Sequence, residues 1–241
     1  MGAPEPTIVA LGGGGLRSSG PDRLIDDYVL SLAGVPTPRV CYLPTAGGDR
    51  DASIVDFHAT FAGRPVVASH VSLFRRDEEE LAKRLLAQDV IYVGGGNTAN
   101  MLAIWRVHGL DAILRTAWER GIVLAGMSAG SICWFEAGTT DSFGPELRAL
   151  HGGLGFLPGS NCPHYDSEPG RRPLYQRLVE LGPPDGLQAG YAADDHVGLR
   201  FAGRELREVV SARPGAGAYR VERVDGRVVE TRLAVRDLAA G

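Results

Sequence analysis

Lysine is almost absent from this 241-residue chain: Lys83 is its single example, and arginine supplies the rest of the 25 basic residues. That skew reads as the codon bias of a GC-rich source. Net positive charge is missing too. With 29 acidic residues the formal net charge is −4, so the electrostatic footprint for phosphate backbones is lacking and nucleic acid is not an expected partner. Cysteine is scarce. Cys41, Cys133 and Cys162 are widely spaced with no C-x-x-C pair, which argues against a disulfide framework or a thiolate zinc site and fits a reducing compartment. No apolar run approaches the roughly 18 residues that span a bilayer, and the first, Thr7–Leu11, is too short for a signal-peptide core. A soluble cytoplasmic protein with no membrane partner is expected. What is plentiful is ordinary globular material, 44% hydrophobic and 22% charged, with 33 glycines. That is enough to bury a core without staples.

Short apolar runs alternate with amphipathic stretches. Thr7–Leu11, Arg39–Leu43, Val66–Leu73, Asp89–Val93 and Ile122–Gly126 read as strands buried on both faces. Asp22–Leu32, Asp51–Phe61, Asp77–Leu86, Thr98–Val107 and Leu110–Arg120 carry helical spacing, several beside an Asp or Asn that can cap them. The alternation predicts a parallel sheet covered by helices on both sides. From Leu187 to Leu233 the strand signals crowd together around Gly203 and Asp225-Gly226, which predicts antiparallel hairpins. No linker, composition break or repeat interrupts residues 1–241, so a single domain is expected.

The most informative segment is Ile122–Phe135, where a strand runs into Gly126-Met-Ser128-Ala-Gly130 and the pattern then turns helical. This is a G-x-S-x-G elbow in its strand-to-helix context, which exposes the serine hydroxyl at the carboxyl edge of a sheet. A second glycine turn, Gly94-Gly95-Gly96-Asn97-Thr98, can present backbone N–H groups to an anion. It lacks the lysine of a P-loop and the spacing of a dinucleotide fingerprint, and Gly12–Gly15 fails on the same grounds. No cofactor or metal is implied.

A serine nucleophile needs a base. Of the six histidines, His58, His70, His108, His151 and His196 lie in or beside elements and turns. His164 lies in Gly159–Asp166, read as a loop without apolar periodicity. The imidazole needs an acid in turn. Asp166 is two residues away, a spacing like the histidine–acid pair of class I glutamine amidotransferases, while Asp194 and Asp195 close the expected strand Leu187–Ala193. These alternatives stay open on pattern alone.

Taken together, Gly94–Thr98, Gly126–Ser131, Cys162-Pro-His164 and Ala193-Asp-Asp195 resemble the serine peptidase family of dipeptidase E and cyanophycinase. Leu11–Gly15 and Leu43–Ala46 extend the likeness over almost the whole chain. The resemblance implies a three-layer α/β/α sandwich with a mostly parallel sheet, flavodoxin-like and class I glutamine amidotransferase-like. It implies a triad of Ser128, His164 and an acid of the Asp194-Asp195 pair. Asp195 matches when the hydrophobic residues that follow are aligned, and Asp166 becomes the runner-up. It assigns the oxyanion hole to Gly95, Gly96 and the Ala129 N–H, with Asn97 toward the substrate. The family's best-known dipeptidase uses glutamate where this chain has aspartate. The expected activity is hydrolysis of small peptides, among them Asp-X dipeptides, and the chain is nearer a dipeptidase E than a cyanophycinase in length. An N-terminal aspartate calls for a cation, and Arg171 and Arg172, just past His164, are the candidates. The alternatives are an amidase or esterase acting on another small substrate, and a non-catalytic binding relative.

Overall fold

In the computed structural model, which describes residues 5–16, 20–76 and 80–240, the alternating first half becomes a run of parallel strands and helices. In chain order come β1 (Thr7–Leu11), α1 (Gly20–Ser31), β2 (Arg39–Leu43), α2 (Asp51–Phe61), β3 (Val67–His70), α3 (Leu81–Leu86), β4 (Val90–Val93), α4 (Thr98–His108), α5 (Leu110–Glu119) and β5 (Val123–Met127). A 3-10 turn, Thr45–Gly47, follows β2. The expected start of the third helix at Asp77 lies outside the described residues. Asn97 caps α4 by accepting the Asn100 N–H at 2.9 Å, and Gly109, at φ 67°, closes α4 and opens α5.

The period-two alternation of each strand sorts the core into two layers. Val9, Val40, Tyr92 and Val123 face Ile25 and Val29 of α1 and Phe57 and Phe61 of α2. Their neighbours Ile8, Cys41, Ile91 and Leu124 face Leu85 of α3, Trp105 of α4 and Leu114 of α5. Helices therefore cover both faces, as expected for the α/β/α sandwich.

The second half adds α6 (Ala129–Ile132), β6 (Phe135–Thr140), β7 (Arg148–His151), β8 (Leu157–Cys162), α7 (Arg171–Leu181), β9 (Gly190–Ala193), β10 (Val197–Ala202), β11 (Glu205–Ser211), β12 (Ala218–Val224), β13 (Arg227–Arg232) and β14 (Arg236–Asp237). The main sheet has the order β14-β11-β10-β1-β5-β4-β2-β3, and a second, six-stranded sheet the order β13-β12-β9-β8-β6-β7. This second sheet was not expected. Its strand β8 contains Gly159–Cys162, which the sequence suggested was loop. The polar Ser160 and Asn161 are fully buried there, bonded to Gln188 O and Tyr175 Oη and to Ser131 Oγ and Tyr191 O. The expected hairpins form: β10–β11 turns at Gly203, and β12–β13 at Asp225-Gly226 with φ 50° and 81°, the left-handed pair that a tight hairpin favours. They enter different sheets. Phe135, Leu157 and Ala218 of the second sheet share a buried cluster with Ile8 and Leu124 of the first. Among the described residues no helix is long and apolar enough to cross a membrane.

Candidate active site

Ser128 is the single residue between β5 and α6, at φ 54° and ψ −112°. A side chain held in that region costs on the order of 1–3 kcal/mol and persists only where the surroundings enforce it. Here its N–H donates to Leu11 O at 3.2 Å, and its own carbonyl accepts the Ser131 and Ile132 N–H groups at 2.9 and 3.0 Å. The flanking glycines are obligatory. A β-carbon on Gly126 would come within 2.3 Å of Gly130 O, and one on Gly130 within 2.5 Å of Val93 O. The helix beyond is shorter than the pattern suggested, because α6 stops at Ile132 and β6 begins at Phe135.

Beside the elbow, the turn after β4 is pinned at both ends. Gly94 N–H donates to Leu43 O and Asn97 N–H to Ala46 O, while the Gly95 and Gly96 amides meet no acceptor among the described residues. A β-carbon on Gly95 would lie 3.3 Å from Ser128 Cβ, so the Gly95 backbone sits against the serine. Asn97, expected to touch substrate, has its side chain committed to its own helix and to Ser142 O, which Nδ2 meets at 3.0 Å.

His164 follows β8, and its Nδ1 lies 2.7 Å from Asp195 Oδ1. The Asp195 carboxyl is held below its ordinary range chiefly by that hydrogen bond. The other two acids point elsewhere. Asp194 is buried and accepts the Gly217 N–H at 2.8 Å, with burial pushing its carboxyl up. Asp166 accepts the Asp195 N–H at 2.9 Å and pairs with Arg213. It therefore braces Asp195 from behind. Gly12–Gly15, excluded from the sequence as a nucleotide motif but part of the family likeness, forms the wall against which this pair packs. A β-carbon on Gly13 would fall 2.1 Å from Asp195 Oδ1 and 2.9 Å from the His164 ring. The signal was present as four successive glycines at the end of a strand. Elsewhere, His58 bonds His70 at 3.0 Å and His196 lies 3.3 Å from Asp22.

A cleft of about 500 Å³ opens next to these groups, lined among others by Gly95, Met127, Asp195, His196, Tyr42 and Arg50. Neither predicted arginine reaches it. Arg171 is 3% exposed and donates to Glu168 and Thr139 O. Arg172 lies over the Tyr165 and Tyr219 rings and pairs with Glu230. Among the described residues, the non-glycine positions at positive φ are Leu16, Asp49, Ser128, His164, His196 and Asp225. Leu16 and His196 line the cleft and Ser128 and His164 belong to the candidate triad, while Asp49 directly precedes the cleft-lining Arg50 and Asp225 is a hairpin residue, so backbone strain gathers where chemistry is expected. No cluster of three potential metal ligands occurs among the described residues.

The sequence model of peptidase family S51 matches residues 8–209. The chain belongs to this family. The chain is 49% identical to an uncharacterized peptidase, YgaJ, from Bacillus subtilis (strain 168), over 96% of this chain and 98% of that protein. Peptidase E from Shewanella denitrificans (strain OS217) is 32% identical over 50% of this chain and 54% of its own length. The crystal structure of a peptidase from an acI-B1 Actinobacterium superposes with a TM-score of 0.70 at 15% identity, covering 98% and 96% of the two chains. A putative peptidase E from Listeria monocytogenes EGD-e gives 0.60 at 16%, covering 95% and 100%. At those identities the structural likeness concerns the fold. As an S51 member the protein is a serine-type peptidase, and the resemblance drawn from its motifs is borne out.

Proposed function

We propose that this S51 peptidase hydrolyses small peptides, Asp-X dipeptides among them, through Ser128, His164 and Asp195, acting in the cytoplasm as a single domain. The Ser128 hydroxyl attacks the scissile carbonyl while His164 Nε2 takes its proton. Asp195, on Nδ1, fixes the tautomer and stabilises the imidazolium. The Gly95, Gly96 and Ala129 amides receive the oxyanion; Ala129 opens α6, where an amide has no intrahelical acceptor. Collapse of the tetrahedral intermediate expels the amine with the proton returned from His164, leaving an acyl ester on Ser128. Water, deprotonated by the same imidazole, then releases the acid and restores the serine.

The observation that carries this reading is the 2.7 Å His164–Asp195 bond, with His164 and the strained Ser128 elbow donating their N–H groups to the adjacent carbonyls of Gly12 and Leu11. A solvated histidine would need neither. The cleft volume is within the range of small-ligand sites and suits short peptides. The test is a panel of Asp-X and other short peptides hydrolysed by wild type and by Ser128→Ala. Turnover is expected to fall by several orders of magnitude in the variant. Retained wild-type rates with Ser128→Ala would overturn the assignment.

A further inference from the structure

Among the described residues that line the cleft, Arg50 is the one arginine or lysine. A rigid approach holds it there. Gly48, at φ 74°, ends the 3-10 turn, and Asp49, at φ 51°, is clamped by the Leu73 and Phe74 N–H groups at 2.5 and 2.9 Å from Oδ2. Arg50 then caps α2. A β-carbon placed on Gly47 would lie 3.6 Å from Gly95 O and 3.9 Å from Arg50 Nε. The guanidinium therefore borders the glycine turn that faces Ser128. Arg64, Arg171, Arg172, Arg213 and Arg236 are each paired with a carboxylate. No carboxylate among the described residues pairs with Arg50.

Among the described residues, three carboxylates share the cleft with it, those of Asp22, Asp56 and Asp195. Asp22 is already bonded to the Gly15 N–H at 2.5 Å and faces His196, and Asp195 is bonded to His164. Such a wall repels a ligand carboxylate everywhere except where a guanidinium meets it directly, and it suits an ammonium. We propose that Arg50 is the specificity-determining residue of this cleft, pairing through its planar fork with a carboxylate of the bound peptide. The inference rests on the peptidase reading above. A small peptide offers that carboxylate from two sources, an acidic side chain on its first residue or its free carboxyl terminus, and both present the same chemistry to the fork.

The test is calorimetric titration of Ser128→Ala protein, which holds peptide without turnover, with Asp-Ala, Asn-Ala and Asp-Ala amide. The same titrations are repeated after adding Arg50→Gln or Arg50→Lys. Asp-Ala is expected to bind at least about tenfold more tightly than the analogue lacking the recognised carboxylate. Arg50→Gln should erase that preference and Arg50→Lys restore part of it. A deficit in Asn-Ala assigns the side chain, and a deficit in the amide assigns the terminus. Equal affinities for all three, a preference that survives Arg50→Gln, or no binding of any of them overturns the proposal. Turnover of the same peptides by wild type bears on the peptidase reading alone. A protein that binds Asp-Ala through Arg50 and cleaves nothing would sink that reading and leave Arg50 in place.

Discussion

Asp166, Asp194 and Asp195 are chemically identical, and only their hydrogen bonds separate them. Asp195 meets the imidazole, Asp194 anchors the Gly217 amide, and Asp166 braces the Asp195 backbone while paired with Arg213. Asp195→Asn is accordingly expected to lower kcat by about 10⁴, since the wrong tautomer is then favoured. Asp194→Asn should act mainly on stability, and Asp166→Asn should cost far less activity than Asp195→Asn. A larger loss of kcat at Asp166 or Asp194 would contradict this. Pattern alone left three acids open because the choice depends on where the chain turns after β9, and Asp195 was preferred only once the family resemblance supplied an alignment. The candidate nucleophile Ser128 stood out because its elbow motif is local, whereas His164 entered the candidate site through the family resemblance. Arg50 was not. Its approach to the cleft depends on two left-handed residues, Gly48 and Asp49, and on adjacency of β2 to β4 in the sheet, a pairing between distant segments.

The elements that bear the site are tied together by groups that take no part in the proposed reaction. Both carboxylate oxygens of Asp26, on α1, lie within 3.0 Å of the Leu16 N–H, fastening that helix to the end of the glycine run. Burial, helped by the Asp22 charge beside it and opposed by the Leu16 N–H and the Tyr92 hydroxyl, pushes the Asp26 carboxyl from 3.8 to about 7. The folded state therefore holds a proton that the unfolded chain has released, and stability from this group declines as pH rises from about 4 through about 7. The melting temperature of wild type minus that of Asp26→Asn is expected to fall between pH 5 and pH 8. The other titrating groups are common to both proteins and cancel. A difference that stays constant would mean Asp26 does not titrate there. At this scale the parallel strands and their helices were readable, because burial on both faces gives plain apolar runs. The strands β6, β7 and β8 were not, because β8 buries Ser160 and Asn161 in place of an apolar pair and satisfies them with cross-strand bonds.

Across the whole molecule, the candidate site draws on both sheets. β5, β4 and β2 of the main sheet deliver Ser128, the Gly95-Gly96 amides and Arg50 at their carboxyl ends, and β1 delivers the glycine wall. β8 and β9 of the second sheet deliver His164 and Asp195. Open α/β sheets place ligands at that edge, so the position of the cleft follows from the fold class. The second sheet is what brings the histidine–acid pair to it. The central claim is that Ser128 is an activated nucleophile, and covalent labelling reads this without knowledge of the substrate. Wild-type protein treated with a fluorophosphonate and mapped by fragmentation mass spectrometry is predicted to carry one adduct, on Ser128, abolished in His164→Ala. An adduct on Ser131 or another serine, or none at all on folded protein, would contradict it.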